Sequence, residues 1–125
     1  MENNAHPTFG HGKICYLEIP ADDISQSADF YSTVFGWKIR DDSDGNLSFD
    51  DAVGEVSGMW VTGRLPATEV GIIISIMVND IKSTLNMIVS KGGDIIQTFD
   101  ETANEKIARF TDPFGNLFGL YEHRQ

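Results

Sequence analysis

One feature constrains this chain more than any other: it repeats itself. The segment Ile14-Cys-Tyr-Leu-Glu-Ile-Pro-Ala-Asp-Asp-Ile24 is apolar or alternating and closes on a helix N-cap signal, and Ile72-Ile-Ile-Ser-Ile-Met-Val-Asn-Asp-Ile81 has the same layout. Asp23 matches Asp80, and at that spacing Gly36 matches Gly93 and Ile39 matches Ile96. The stretches between carry Ala28, Tyr31 and Val34 in one copy and Leu85, Ile88 and Val89 in the other, at helical spacing. An Asp side chain accepts from the free amides of a first helical turn, and Gly takes the left-handed backbone that stops a helix. A second match, Phe49-Asp-Asp-Ala-Val-Gly54 with Phe110-Thr-Asp-Pro-Phe-Gly115, marks a hairpin in each copy, with Gly58 and Gly119 following. The hairpin spacing exceeds the helix spacing by four residues, so the second copy carries a longer loop. Each half therefore reads β-α-β followed by a β-hairpin.

Thr62-Gly-Arg-Leu-Pro-Ala-Thr-Glu-Val-Gly71 separates the copies, rich in turn formers and without periodicity. This places an N-terminal arm over 1–12 and a single domain over 13–125, with module 1 at about 13–62, a linker at 63–70 and module 2 at about 71–122. Neither half covers its sheet alone, and 125 residues suffice for one core. The formal charge of −10 repels phosphate backbones and acidic membranes, which argues against nucleic acid and membrane partners. Cys15 is the sole cysteine, which excludes an intrachain disulfide and a CxxC redox pair and fits a cytoplasmic location. No signal-like or membrane-spanning segment is apparent.

Ile19-Pro-Ala-Asp-Asp-Ile24, Phe30-Tyr31, Phe35-Gly-Trp-Lys38 and Asp112-Pro-Phe-Gly-Asn116 together resemble the vicinal-oxygen-chelate superfamily, which includes lactoylglutathione lyase, bleomycin-resistance and fosfomycin-resistance proteins and extradiol dioxygenases. The resemblance spans about Ile14 to Tyr121. It implies an α+β fold of two tandem βαβββ modules whose curved mixed sheets form a cup with helices outside, usually as a homodimer, with a divalent metal held by one residue from each of four strands. The family's first-strand ligand, His or Gln, lies seven residues before the helix-starting Asp, at Tyr16 and Ile73 here. Its carboxylate ligand lies seven residues after the hairpin Asp, at Gly58 and Gly119. None of these four offers an imidazole or carboxylate, so no metal cofactor is expected.

Alternation along the strands puts Tyr16 and Glu18 on the inward face of the first module and Ile73, Ser75 and Met77 on that of the second, with Cys15, Leu17 and Ile19 packed under the helices. Trp60 and Tyr121 lie two residues beyond Gly58 and Gly119. An inward set of Tyr16, Glu18, Trp60, Ser75 and Tyr121 forms an aromatic-walled pocket with one carboxylate, suited to a planar or cationic organic molecule. Glu18, in an otherwise apolar strand, must find a partner or shift its pKa, which makes it the candidate base or counter-ion.

Other features carry less. His6, His11 and His123 sit in polar termini. Asp41-Asp-Ser-Asp-Gly-Asn46 puts Arg40 where a calcium loop needs its first ligand, so it reads as a turn. Asn46-Leu-Ser48 matches a glycosylation sequon with no sign of export. The leading reading is a protein that binds or transforms a small molecule without the four usual metal ligands. One alternative is a metal-dependent lyase or isomerase of the lactoylglutathione lyase type using displaced ligands from Glu18, Glu122 or His123. Another is a ligand-free dimeric interaction module whose cup is plugged by Trp60 and Tyr121.

Overall fold

The computed structural model describes residues 7–11, 13–42, 44–68 and 71–122. Module 1 runs β1 (Tyr16–Pro20), α1 (Ile24–Phe35), β2 (Lys38–Asp41), β3 (Leu47–Asp50) and β4 (Ser57–Val61). Module 2 runs β5 (Ser75–Met77), α2 (Ile81–Ser90), β6 (Asp94–Gln97), β7 (Lys106–Thr111) and β8 (Leu117–Glu122). The fold is α+β, with two four-stranded mixed sheets of order β1-β4-β3-β2 and β5-β8-β7-β6. In each, the strand before the helix lies parallel to the last strand of its module, and the remaining pairs are antiparallel.

Both helices begin where the sequence puts an Asp. Asp23 Oδ1 accepts from Gln26 N at 3.0 Å and Asp80 Oδ1 from Ser83 N at 3.2 Å, each satisfying a first-turn amide. Their ends differ. Gly36 stops α1 with φ 73°, but in module 2 the left-handed residue is Gly92, at φ 97°, one place before the glycine that matches Gly36. Gly93 is needed for space instead, because a Cβ there would lie 2.6 Å from the Thr111 carbonyl oxygen.

The helices lie against each other and against their own sheets, enclosing one core shared by both modules. Its centre is aromatic: Tyr31 stacks on Trp37 at 4.6 Å between ring centroids, Trp37 stacks on Phe49 at 4.5 Å, and Phe49 meets Trp60 at 4.9 Å. Phe30 and Phe110 continue the cluster into module 2. Side chains of this size each contribute about 1.5–3 kcal/mol when fully buried, so the shared core is the main force joining the copies.

At the N-terminus, Thr8 donates its backbone N–H and its hydroxyl to the Glu55 carboxylate, both at 3.1 Å, and Lys13 Nζ reaches the same group at 3.0 Å. Of the expected arm, residues 1–6 and 12 fall outside the described residues, as do His6 and His123; His11 is exposed. The stretch after Asp41 is a turn, closed by Asp42 Oδ1 accepting from the amides of Asp44 and Asn46.

Candidate functional site

Each sheet has one face under its helix and one open face, and strand register decides which residues share them. In β1, Ile19 is buried while Tyr16 and Glu18 are exposed. Across the parallel pair, Tyr16 stands opposite Ser57 and Glu18 opposite Met59. Module 1 therefore presents Tyr16, Glu18, Ser57 and Met59 on its open face. In module 2, Ser75 pairs with Gly119 and Met77 with Tyr121, while Phe118 and Leu120 point into the core. A Cβ on Gly119 would lie 2.6 Å from Ser75 Oγ and 3.2 Å from Ile73 Cγ2, so Ile73, Ser75 and Gly119 form one cluster.

Cys15, expected under the helices, is exposed, because it precedes the first residue of β1, and two expected site positions are corrected as well. Trp60 does not face the trough: it is 1% exposed, on the helix side, against Phe49 and Tyr31. Gly58 shares that side, where a Cβ would collide with the Leu17 carbonyl oxygen and the Phe49 ring. The cause is one residue in a turn. The first turn closes with Asp51 N donating to the Val56 carbonyl, the second with Asp112 N donating to the Asn116 carbonyl, so the first loop is longer by Glu55. A one-residue shift in a strand exchanges its faces. Counting seven residues from the hairpin Asp thus reaches the open face at Gly119 and the buried face at Gly58; the open-face equivalent of Gly119 is Met59.

With that register, the positions the family resemblance implies for metal ligands fall at Tyr16, Met59, Ile73 and Gly119. A phenol, a thioether, an alkyl group and a bare backbone do not form the imidazole and carboxylate set a divalent cation requires there. Among the described residues, which do not include His123, displaced ligands do not repair it. Glu122 lies on the helix side, its Oε1 accepting from Ile81 N at 2.7 Å and its Oε2 3.6 Å from Lys106 Nζ. Among the described residues, no group of three or more His, Cys, Asp or Glu side chains converges on a possible metal position.

Glu18 has the partner its strand position demands, since its Oε1 accepts from Arg64 Nη1 at 2.8 Å. Both side chains remain about half exposed, so the pair is worth little as a stabiliser and is open to exchange with a ligand's charges. Arg64 comes from the aperiodic linker, where no sequence pattern singled it out. Tyr121 donates its phenolic proton to Glu105 Oε2 at 2.9 Å. That bond, with smaller contributions from partial burial and the nearby carboxylate charge, raises the phenol above its ordinary pKa. Ser75 is exposed beside Gly119. The seam between the modules holds a depression of about 110 Å³, lined by Glu18, Ile74, Asn116 and Leu117 among others.

The model of the Glyoxalase/Bleomycin resistance protein/Dioxygenase superfamily matches residues 13–120. A glyoxylase-like domain-containing protein of Didymella fabae is 32% identical over 92 residues, covering 66% of this chain and 70% of that protein. Among solved structures, a glyoxalase/bleomycin resistance protein/dioxygenase family enzyme from Burkholderia phytofirmans superposes with TM-score 0.69 at 18% identity, over 86% of this chain and 95% of the other. The fosfomycin resistance protein FosX from Mesorhizobium loti superposes with TM-score 0.68 at 14% identity, over 91% and 93% respectively. Identities this low establish a common fold and nothing about shared chemistry.

Proposed function

The chain belongs to the Glyoxalase/Bleomycin resistance protein/Dioxygenase superfamily, and from that premise we infer that it binds a small organic molecule on the open face of its two sheets without a metal ion. The observation that carries this reading is the donor set: Tyr16, Met59, Ile73 and Gly119 stand where metal ligands belong, while Tyr16 and Tyr121 keep the face aromatic. A binding role needs no catalytic constellation. Glu18 acts as counter-ion in place of a buried base, because Arg64 already neutralises it. The ligand is planar or aromatic and carries a charged group, cationic toward Glu18, that exchanges into this ion pair.

A homodimer accounts for the exposed apolar side chains of the open face, where Met77 is 70% and Ile107 52% exposed. The free, exposed Cys15 suits a reducing cytoplasm. No helix among the described residues is long and apolar enough to cross a membrane.

Two-dimensional NMR with a library of aromatic amines and quaternary ammonium compounds tests the reading. Shifts are expected to centre on the amides of Tyr16, Glu18, Ser75 and Tyr121 and to weaken in Tyr121→Ala. Compounds that bind without perturbing these residues would overturn it.

A further inference from the structure

A second cleft, of about 730 Å³, runs between the modules and shares Ser75 and Met77 of the open face in its lining. Phe35, Val53 and Val56 of module 1 form one wall, and Ile76, Val78 and Asp80 of module 2 form the other. Its size falls within the range of small-molecule sites.

The cleft exists because the two copies are unequal at one place. At the pseudo-equivalent position on the other side of the molecule, the turn after Asp112 is docked on β1 and α1. Asn116 Nδ2 donates to the Pro20 carbonyl at 2.8 Å, Tyr31 donates to Asp112 Oδ2 at 2.8 Å, and Phe114 packs against the core. The corresponding residues of the first turn have no such reach. Val53 stands for Phe114 and is 66% exposed, Val56 stands for Asn116, and Ile88 stands for Tyr31. Where an amide, a phenol and a phenyl ring close one junction, two valines leave the other open.

Charge selects what fits. Asp51 and Asp80 both line the cleft, and its lining includes no Lys or Arg. Asp51 uses Oδ1 for the amides of Glu55 and Val56, and Asp80 uses Oδ1 for Ser83 N, leaving both Oδ2 atoms without hydrogen bonds among the described residues. We propose that this inter-module cleft is a second binding site, for a small amphiphilic cation: an aromatic or aliphatic body between the valine wall and Ile76, with an amine or ammonium group between Asp51 and Asp80. The ring of Trp37, on the cleft lining, reports occupancy by fluorescence; Trp60 is not part of that lining.

The proposal goes beyond the open-face reading and stands or falls separately from it. The probes are 1-naphthylmethylammonium and its neutral analogue 1-naphthylmethanol, titrated by calorimetry and followed by NMR on the full chain. The cation is expected to shift the amides of Val53, Ile76 and Asp80. Val53→Phe, which copies Phe114 at an exposed loop position, is expected to weaken binding by about tenfold or more. Asp80→Asn keeps the helix cap and is expected to weaken the cation about threefold while leaving the alcohol unchanged. Equal affinity for cation and alcohol, unchanged binding in Val53→Phe with the fold intact by circular dichroism, or shifts confined to Tyr16, Glu18 and Tyr121, none of which lines the cleft, would each overturn the proposal, the last while leaving the open-face reading in place.

Discussion

The turns that follow Asp51 and Asp112 do the same topological job in their modules but are held in different ways. Asp112 is 2% exposed and accepts from four donors: the amides of Phe114 and Asn116, the Asn116 side chain and the Tyr31 phenol. Asp51 is half-buried and, among the described residues, accepts only from Glu55 N and Val56 N, within its own loop. One carboxylate fastens two modules together and the other merely shapes a turn. A tandem repeat therefore needs its polar interlock only once, because the shared aromatic core already holds the copies together, and the second junction is free to diverge.

The sharpest way to break this comparison is to remove each carboxylate in turn. Asp112→Ala strands the Tyr31 hydroxyl and the Asn116 amide in the core and should cost about 3–5 kcal/mol, against about 1 kcal/mol for Asp51→Ala. Urea denaturation measures both, and equal losses would show the junctions to be equivalent. The two glycines that match in the repeat, Gly58 and Gly119, separate next. Gly58→Ala drives a methyl group into the Leu17 backbone and the Phe49 ring and should cost about 3 kcal/mol, whereas Gly119→Ala meets only the Ser75 and Ile73 side chains, which can turn aside, and should cost about 1 kcal/mol.

The smallest effect concerns pH. Burial, then the adjacent Asp112 charge and the hydrogen bond to it, hold the Tyr31 phenol well above its ordinary pKa. A group whose pKa is raised on folding gives stability that is fully present below the unfolded value, about 10, and lost as pH rises toward the folded value. Wild-type stability should thus fall faster above about pH 10 than that of Tyr31→Phe, by up to about 1.4 kcal/mol per pH unit, and the variant should be less stable by about 1 kcal/mol at neutral pH. Parallel curves would remove Tyr31 from the interlock.

The repeat made most of the fold legible, because helix caps at Asp23 and Asp80 and alternating strands leave the same local signature in both copies. It misled where the copies differ in length. Glu55 adds one residue to a turn whose Phe-x-Asp-x-x-Gly pattern is otherwise intact, and that residue moved Trp60 and Gly58 to the buried face. Tyr16, Glu18, Ser75 and Tyr121 lie before such an insertion or in the copy without it, so alternation placed them on the open face. Arg64 and Glu105 were illegible for another reason: both lie in loops, where the tertiary path, and no period, brings them to Glu18 and Tyr121.

The central claim is that the open face works without a metal ion, and elemental analysis of protein purified without chelator tests it most directly, paired with thermal-shift titration of Ni²⁺, Zn²⁺ and Mn²⁺. The donor set of Tyr16, Met59, Ile73 and Gly119 predicts metal far below one equivalent per chain and no stabilisation by any of the three ions. Near-stoichiometric metal with a rise in Tm would contradict it.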